Sequence, residues 1–162
     1  MSSVLAIDPG TSQSAFCYFN PKANPPSLSA GILPNDEMIE LIRRFSGVEL
    51  AIERVASYGM PVGVEVFQTV HWSGRFQQAH LGITRLIFRR DVKLHICKSP
   101  KANDASIRQR LIDLYGAPGT KKSPGLLYGM KADMWQAFAL AVTAIENPEL
   151  GKQSGDQSQA LS

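Results

Sequence analysis

The sequence predicts an α/β fold, a central mixed five-stranded sheet flanked by helices. Three observations carry that expectation. Segments of strand length and of helical period run in the order strand, strand, strand, helix, strand, helix, strand, helix, helix, which a mixed sheet accommodates. The chain has 162 residues, enough for one good core and short for two. Hydrophobic residues make up 44% and charged residues 19%, the balance of an ordinary globular domain rather than a fibre.

"VLAID" near the start is a buried strand, and "SAFCYF" is its hairpin partner across a loop that contains Gly and Ser. "SLSAGIL" follows the Pro-rich link "NPKANPP" as a third strand. "NDEMIELIRRFSG" is a helix. Asn35 suits its cap, Asp36 and Glu37 its first turn, Arg43 and Arg44 its last turn, and Gly47 its stop. "VELAIERV" is the fourth strand, with Leu50 and Ile52 on one face and Glu49, Ala51 and Glu53 on the other. Residues 64–89 carry Val66, Val70, Ile83 and Ile87 at helical spacing and are expected to form one long helix, bent at Gly74 and Gly82. "VKLHIC" alternates and is expected to be the fifth strand. "NDASIRQRLIDLYG" is a helix capped by Asn103 and stopped by Gly116. "GAPGTKKSPGLLYGM" is too rich in Gly and Pro for a regular element and makes a long loop, a feature that in small domains is usually functional. Residues 131–145 are helical again. A single domain over 1–146 and a flexible tail over 147–162 follow.

No apolar run is long enough to span a bilayer, and "MSSVLAID" lacks the basic and long apolar segments of a secretory signal. A cytoplasmic protein with no membrane partner is expected. Cys17 and Cys97 lie far apart without metal-ligand spacing, so buried free thiols are expected rather than a zinc site. The formal net charge is only +3, but residues 75–131 hold twelve Lys or Arg against three acids, and the rest of the chain holds five against eleven. Such a basic stretch suits a polyanion such as nucleic acid, and equally a plain solvated face.

Three acids interrupt apolar sequence: Asp8 ends "LAID", Glu53 lies within "LAIERV", and Asp133 lies in "GMKADMWQAFALAV". Singly, each has an ordinary explanation: a turn residue, a solvent-facing strand position, and an acid stabilised by a helix dipole. Together they are more informative, because the first and fourth strands can be neighbours and the last helix can begin beside their ends. Carboxylates about 5 Å apart repel by roughly 3 kcal/mol per pair at an effective dielectric of about 20, so protonation or a cation must relieve them. Oxygen-only ligands favour a hard divalent ion, Mg²⁺ with Mn²⁺ as substitute. Two such ions would flank a phosphodiester, one activating water and the other stabilising the leaving oxygen. Pro9 and Gly10 would then end the strand so that Asp8 faces an open site.

"LAIDPGTSQSAFCYF", "LAIERVASYGMPVG" and "KADMWQAFALAVTA" resemble, in this order, the motifs of RuvC-type Holliday junction resolvases of the ribonuclease H-like superfamily. "YGMPVG" and "KANDASIRQRLIDLYG" are similar to the phage-encoded branch. The likeness covers roughly residues 3–146 and rests on three motifs in order, since "DPGT" also occurs in actin-like ATPases. It implies a ribonuclease H-like fold in a bacterial or phage-infected cell, and a homodimeric enzyme of DNA recombination and repair that nicks four-way junctions to leave 5′-phosphate and 3′-hydroxyl ends. Asp8, Glu53 and Asp133 then correspond to the metal-binding catalytic acids. The family usually has a further acid where this chain has Gln136. Three residues from Asp133 on a helix, its amide can still reach a metal, without negative charge, so weaker metal affinity is expected.

Phosphate contacts are expected from Lys98 and Lys101, leaving the fifth strand, from Lys121 and Lys122 on the long loop, and from Lys131 just before Asp133. Arg85, Arg89 and Arg90 would extend that track. Tyr58 is expected to stack on an unpaired base, as an aromatic residue does in the family, or else to pack within its loop. His71, His80 and His95 lack metal spacing, and Trp72 and Trp135 are expected in the core. The rivals are a nuclease for other branched DNA, a junction-binding protein without catalysis, and an actin-like ATPase, for whose second domain the chain lacks room.

Overall fold

The computed structural model describes residues 3–152. At its centre is β1 (Val4–Asp8), where Val4, Leu5, Ala6 and Ile7 are fully buried because both faces of the sheet are covered. β2 (Gln13–Asn20) returns antiparallel to β1, and β3 (Ser27–Pro34) lies antiparallel to β2. The chain crosses through α1 (Asn35–Arg44) to β4 (Glu49–Arg54), parallel to β1 on its other side, and through α2 (Val64–Ala79) to β5 (Thr84–Phe88), parallel to β4. α3 (Arg89–Cys97), α4 (Asp104–Tyr115) and α5 (Met134–Glu146) complete the described fold. The sheet is mixed and five-stranded, in the order β3-β2-β1-β4-β5.

Strand alternation divides the core into two layers. Leu5, Ile7, Leu50 and Ile52 pack with Met38 and Ile42 of α1 and Phe76 of α2. Val4, Ala6, Cys17, Phe19 and Ala51 pack on the other face with Phe138 and its neighbours on α5. α5 is buried from Met134 through Ala144, which is why it is apolar all round. Each fully buried Leu, Ile or Phe contributes roughly 1.5–3 kcal/mol. Trp135 belongs to this core as expected, and Trp72 is partly buried against the opposite layer. No helix among the described residues is long and apolar enough to cross a membrane.

Two elements differ from expectation. The long helix expected over 64–89 ends at Ala79, and the fifth strand is "TRLIF" at Thr84–Phe88. His80 adopts extended backbone, and its ring bonds the Val48 carbonyl at 2.7 Å and Thr84 Oγ1 at 3.2 Å, fixing the chain where it turns back to the sheet. "VKLHIC", expected as a strand, lies in α3. Its alternation is ambiguous because Val92 and Ile96 are also four apart; both are buried, while Leu94 between them is exposed. Tertiary packing selects the helix: α5 and α4 receive one helical stripe, and the outer edge of β5 is already met by the Leu86 amide bond to the Gly151 carbonyl.

That same bond alters the expected tail. Residues 147–152 are fastened to β5, with Arg85 fully buried and donating to the carbonyls of Ala144 and Leu150 at 2.8 Å each and to that of Asn147. Arg85 therefore closes the C-terminus of α5, where a cation suits the dipole, and does not join a DNA track. The rest of the expected tail, 153–162, lies outside the described residues.

Asn35 also departs from its expected role. It makes no side-chain cap bond on α1, and Pro34 holds the capping position. Its buried amide instead accepts from Ser14 Oγ at 2.6 Å and donates to the Gly10 carbonyl at 3.0 Å, while the Gly10 amide donates to Ser14 Oγ at 3.0 Å. This ring of bonds holds the turn after Asp8, and a Cβ at Gly10 would collide with the Gln13 carbonyl. Asn103, by contrast, caps α4 as expected, accepting from the Ser106 amide at 2.8 Å. Asn35→Ala should thus cost about 2–3 kcal/mol by orphaning buried partners, against about 1 kcal/mol for Asn103→Ala, in chemical denaturation. Equal losses would mean that Asn35 acts only as a cap.

Candidate active site

Two-residue periodicity places Asp8 on the same face as Val4 and Ala6, toward α5, and Glu53 on the same face as Ala51. β1 and β4 are parallel and in register through Ile7 and Ile52, so Asp8 and Glu53 come next at the carboxyl ends of adjacent strands. In open α/β sheets that end is where ligands bind. α5 packs on this face. Asp133 occupies its N-cap position without making a cap bond, and Gln136, almost fully buried, follows on its first turn. The three acids named from the sequence are thus brought to one end of the sheet.

They are also electrically coupled. Burial pushes the Asp8 carboxyl up from about 3.8 to about 8, helped by the negative charges of Glu53 and Asp133 and opposed by Arg89. Glu53 is raised as well, first by burial, against the attraction of Arg89, with Asp133 and Asp104 adding repulsion. Such acids hold charge only when a cation accompanies them.

Three residues of this site were not assigned to it from the sequence. Arg89 was expected only as a phosphate contact, yet its guanidinium lies 3.7 Å from Glu53 Oε1 and donates to Asp104 Oδ1. Asp104, the first residue of α4, adds a fourth negative charge near Asp8 and Glu53. Lys93 lowers the cost of ionising Glu53. Once "TRLIF" is seen as a strand, Arg89 stands at its carboxyl end, the place Asp8 and Glu53 hold on theirs. A further signal was Asp104's rarity, one of three acids within the basic stretch.

As placed, no three His, Cys, Asp or Glu side chains among the described residues form a group that could hold one metal ion. The expected convergence is therefore one of position and field, with Arg89 reaching in between Glu53 and Asp104. The donor chemistry nonetheless suits a hard divalent ion: oxygen donors only, excess negative charge, and an Asp8 that resists ionising without a counter-charge.

The expected DNA contacts separate into groups. Tyr58, exposed and at positive φ in the loop after β4, lines a cavity of about 190 Å³ with Arg89, Arg90, Lys93 and Pro100, so the structure gathers these around Arg89, which itself lies 3.7 Å from Glu53. Lys98 does not leave a strand but ends α3 in the left-handed conformation, with Lys101 exposed in the following turn. Lys121 and Lys122 are exposed at the tip of a tight turn closed by Thr120 and Ser123, and Lys131 is exposed two residues before Asp133. His80 serves structure, as described, and His95 bonds Glu146 at 2.7 Å away from the acids.

Between the ordinary carboxylate range and about pH 8, the folded protein keeps a proton on Asp8 that the unfolded chain has released. Stability of the metal-free protein should therefore fall as pH rises through that window. Melting in EDTA should give a lower Tm at about pH 9 than at about pH 5, and Asp8→Asn should flatten the difference. Equal slopes for both proteins would contradict the placement of Asp8.

No protein-family model matches the sequence, and no curated protein matches it. Among solved structures, RuvC of Thermus thermophilus is similar with a TM-score of 0.63 at 14% identity, covering 93% of this chain and 97% of that one. T. thermophilus RuvC in complex with Holliday junction substrate is similar with a TM-score of 0.68 at 15% identity, covering 90% of this chain and 93% of that one. The mixed sheet, its flanking helices and these likenesses together make this a ribonuclease H-like fold, of the form seen in RuvC.

Proposed function

We propose that this chain is a RuvC-type, Mg²⁺-dependent structure-selective endonuclease that hydrolyses phosphodiesters at DNA four-way junctions, leaving 5′-phosphate and 3′-hydroxyl ends. The observation that carries this is the set of half-buried, mutually repelling acids at the carboxyl ends of β1 and β4, beside the start of α5, in a fold shared with a protein solved on a Holliday junction.

Asp8, Glu53 and Asp133 would hold two Mg²⁺ or Mn²⁺ ions, whose chemistry at a phosphodiester is to activate water on one side and stabilise the leaving oxygen on the other. Gln136 would contribute a neutral amide oxygen. The braced turn at Pro9 and Gly10 keeps Asp8 at the carboxyl end of the central strand. Arg89, Arg90 and Lys93 orient the backbone phosphates beside Glu53, and Tyr58 offers a ring on which an unpaired base stacks. Lys98, Lys101, Lys121, Lys122 and Lys131 extend the contact along the arms, in a salt-sensitive and sequence-neutral way.

A homodimer belongs to the same proposal. α2 buries only Ser73 and Phe76, and Val64, Phe67, Val70, Leu81 and Ile83 on it and just after it are exposed. Apolar exposure of this kind suits a self-complementary interface.

A junction-binding protein without catalysis is the second reading, favoured by Gln136 in place of an acid and by acids not gathered on one point. A synthetic junction and its linear arms, offered with Mg²⁺ to wild type and Glu53→Gln, separate the two. Wild type should nick the junction and spare the arms, and Glu53→Gln should cut at least about 100-fold more slowly while binding equally well. Binding that persists in EDTA, with no cleavage by wild type in Mg²⁺ or Mn²⁺, would establish the binding protein instead. Gln136→Asp should lower the Mg²⁺ concentration for half-maximal cleavage several-fold, and an unchanged value would remove Gln136 from the ligand set.

A further inference from the structure

Arg89 uses its two terminal nitrogens on two different acids. Nη1 lies 3.7 Å from Glu53 Oε1, and Nη2 donates to Asp104 Oδ1. No other cation among the described residues stands within 4.0 Å of Glu53. Both ends of this bridge are fixed by backbone: Arg89 is the first residue of α3, directly after β5, and Asp104 opens α4 behind the Asn103 cap. The guanidinium can therefore change partners by rotating its side chain alone. Glu53 is the more enclosed partner, 15% exposed, and Asp104 the more open one, 67% exposed.

We propose that Arg89 is an internal counter-cation, occupying the neighbourhood of Glu53 in the metal-free protein and released onto Asp104 and a DNA phosphate when a divalent ion takes Glu53. This rests on the metal site proposed above and adds a control to it. A divalent ion on Glu53 repels the guanidinium, and Asp104 retains it at the rim. The same residue lines the cavity shared by Tyr58, Arg90, Lys93 and Pro100, where a phosphate would meet it. Metal and DNA then favour each other, because the metal frees Arg89 for a phosphate and a phosphate draws Arg89 away from Glu53, and the coupling is reciprocal. Arg89 and Asp104 are thus positioning residues for the metal site rather than ligands of it.

Mn²⁺ titration by calorimetry in the absence of DNA tests this without any cleavage readout. Arg89→Gln should bind Mn²⁺ roughly tenfold more tightly than wild type, within the range of about 5–150-fold usual for coupled sites. Asp104→Asn should bind it several-fold more weakly, since Arg89 then has only Glu53, and this loss should vanish when Asp104→Asn is made in the Arg89→Gln background. Arg89→Met serves as a second neutral variant should Arg89→Gln fail to fold by circular dichroism. If wild type binds Mn²⁺, Glu53→Gln abolishes that binding, and neutral variants of Arg89 bind no more tightly, Arg89 is not a placeholder while the metal site stands. If neither wild type nor the neutral variants of Arg89 bind Mn²⁺, the metal site and the proposal fall together.

Discussion

Asp8 and Glu53 end neighbouring parallel strands on the same face, and burial together with mutual repulsion makes it unfavourable for both to ionise. The surroundings are arranged around that constraint. β1 must be apolar on both faces to hold the centre of the sheet, so a carboxylate can be tolerated only at its last position, where the chain turns out of the layer. The acidic partners come from β4, α4 and α5, and the cations Arg89 and Lys93 come from α3. A site of this kind is assembled by the order of strands rather than by any local motif, since its members lie far apart in sequence.

Much of the remaining polar structure keeps this end of the sheet from yielding. The turn after Asp8 is tied by Ser14 and Asn35 in a closed ring of hydrogen bonds, which joins β2 and α1 to the first strand at the point where the charge sits. At the other end of α5, Arg85 satisfies three carbonyls from inside the protein and pins residues 147–152 against β5. Among the described residues no buried side-chain polar atom lacks a partner.

The basic stretch over 75–131 divides into cations with different duties. Arg85 is interior and structural, Arg89 and Lys93 balance the acids, and the exposed lysines of the loops at 98–101 and 120–131 are open to solvent. Charge counted along a sequence cannot separate these, because position in the sheet decides whether a guanidinium meets carbonyls, carboxylates or water.

By itself the sequence determined the strands that carry Asp8 and Glu53, the face that Glu53 presents, the existence of the last helix within three residues of its observed start at Met134, the caps at Asn103 and Gly116, and the mixed five-stranded class of the fold. These follow from period-two and period-3.6 patterns and from local backbone chemistry, which depend on near neighbours only. Tertiary structure alone decided that "TRLIF" is the strand and "VKLHIC" the helix, since Val92 and Ile96 satisfy either period until α4 and α5 supply the surface they pack on. It also moved Asn35 from cap to brace, sent Arg85 into the interior, and set Arg89 between Glu53 and Asp104. Each of those outcomes is a contact between residues remote in the chain, and no local pattern encodes the distance between strands that have yet to pair.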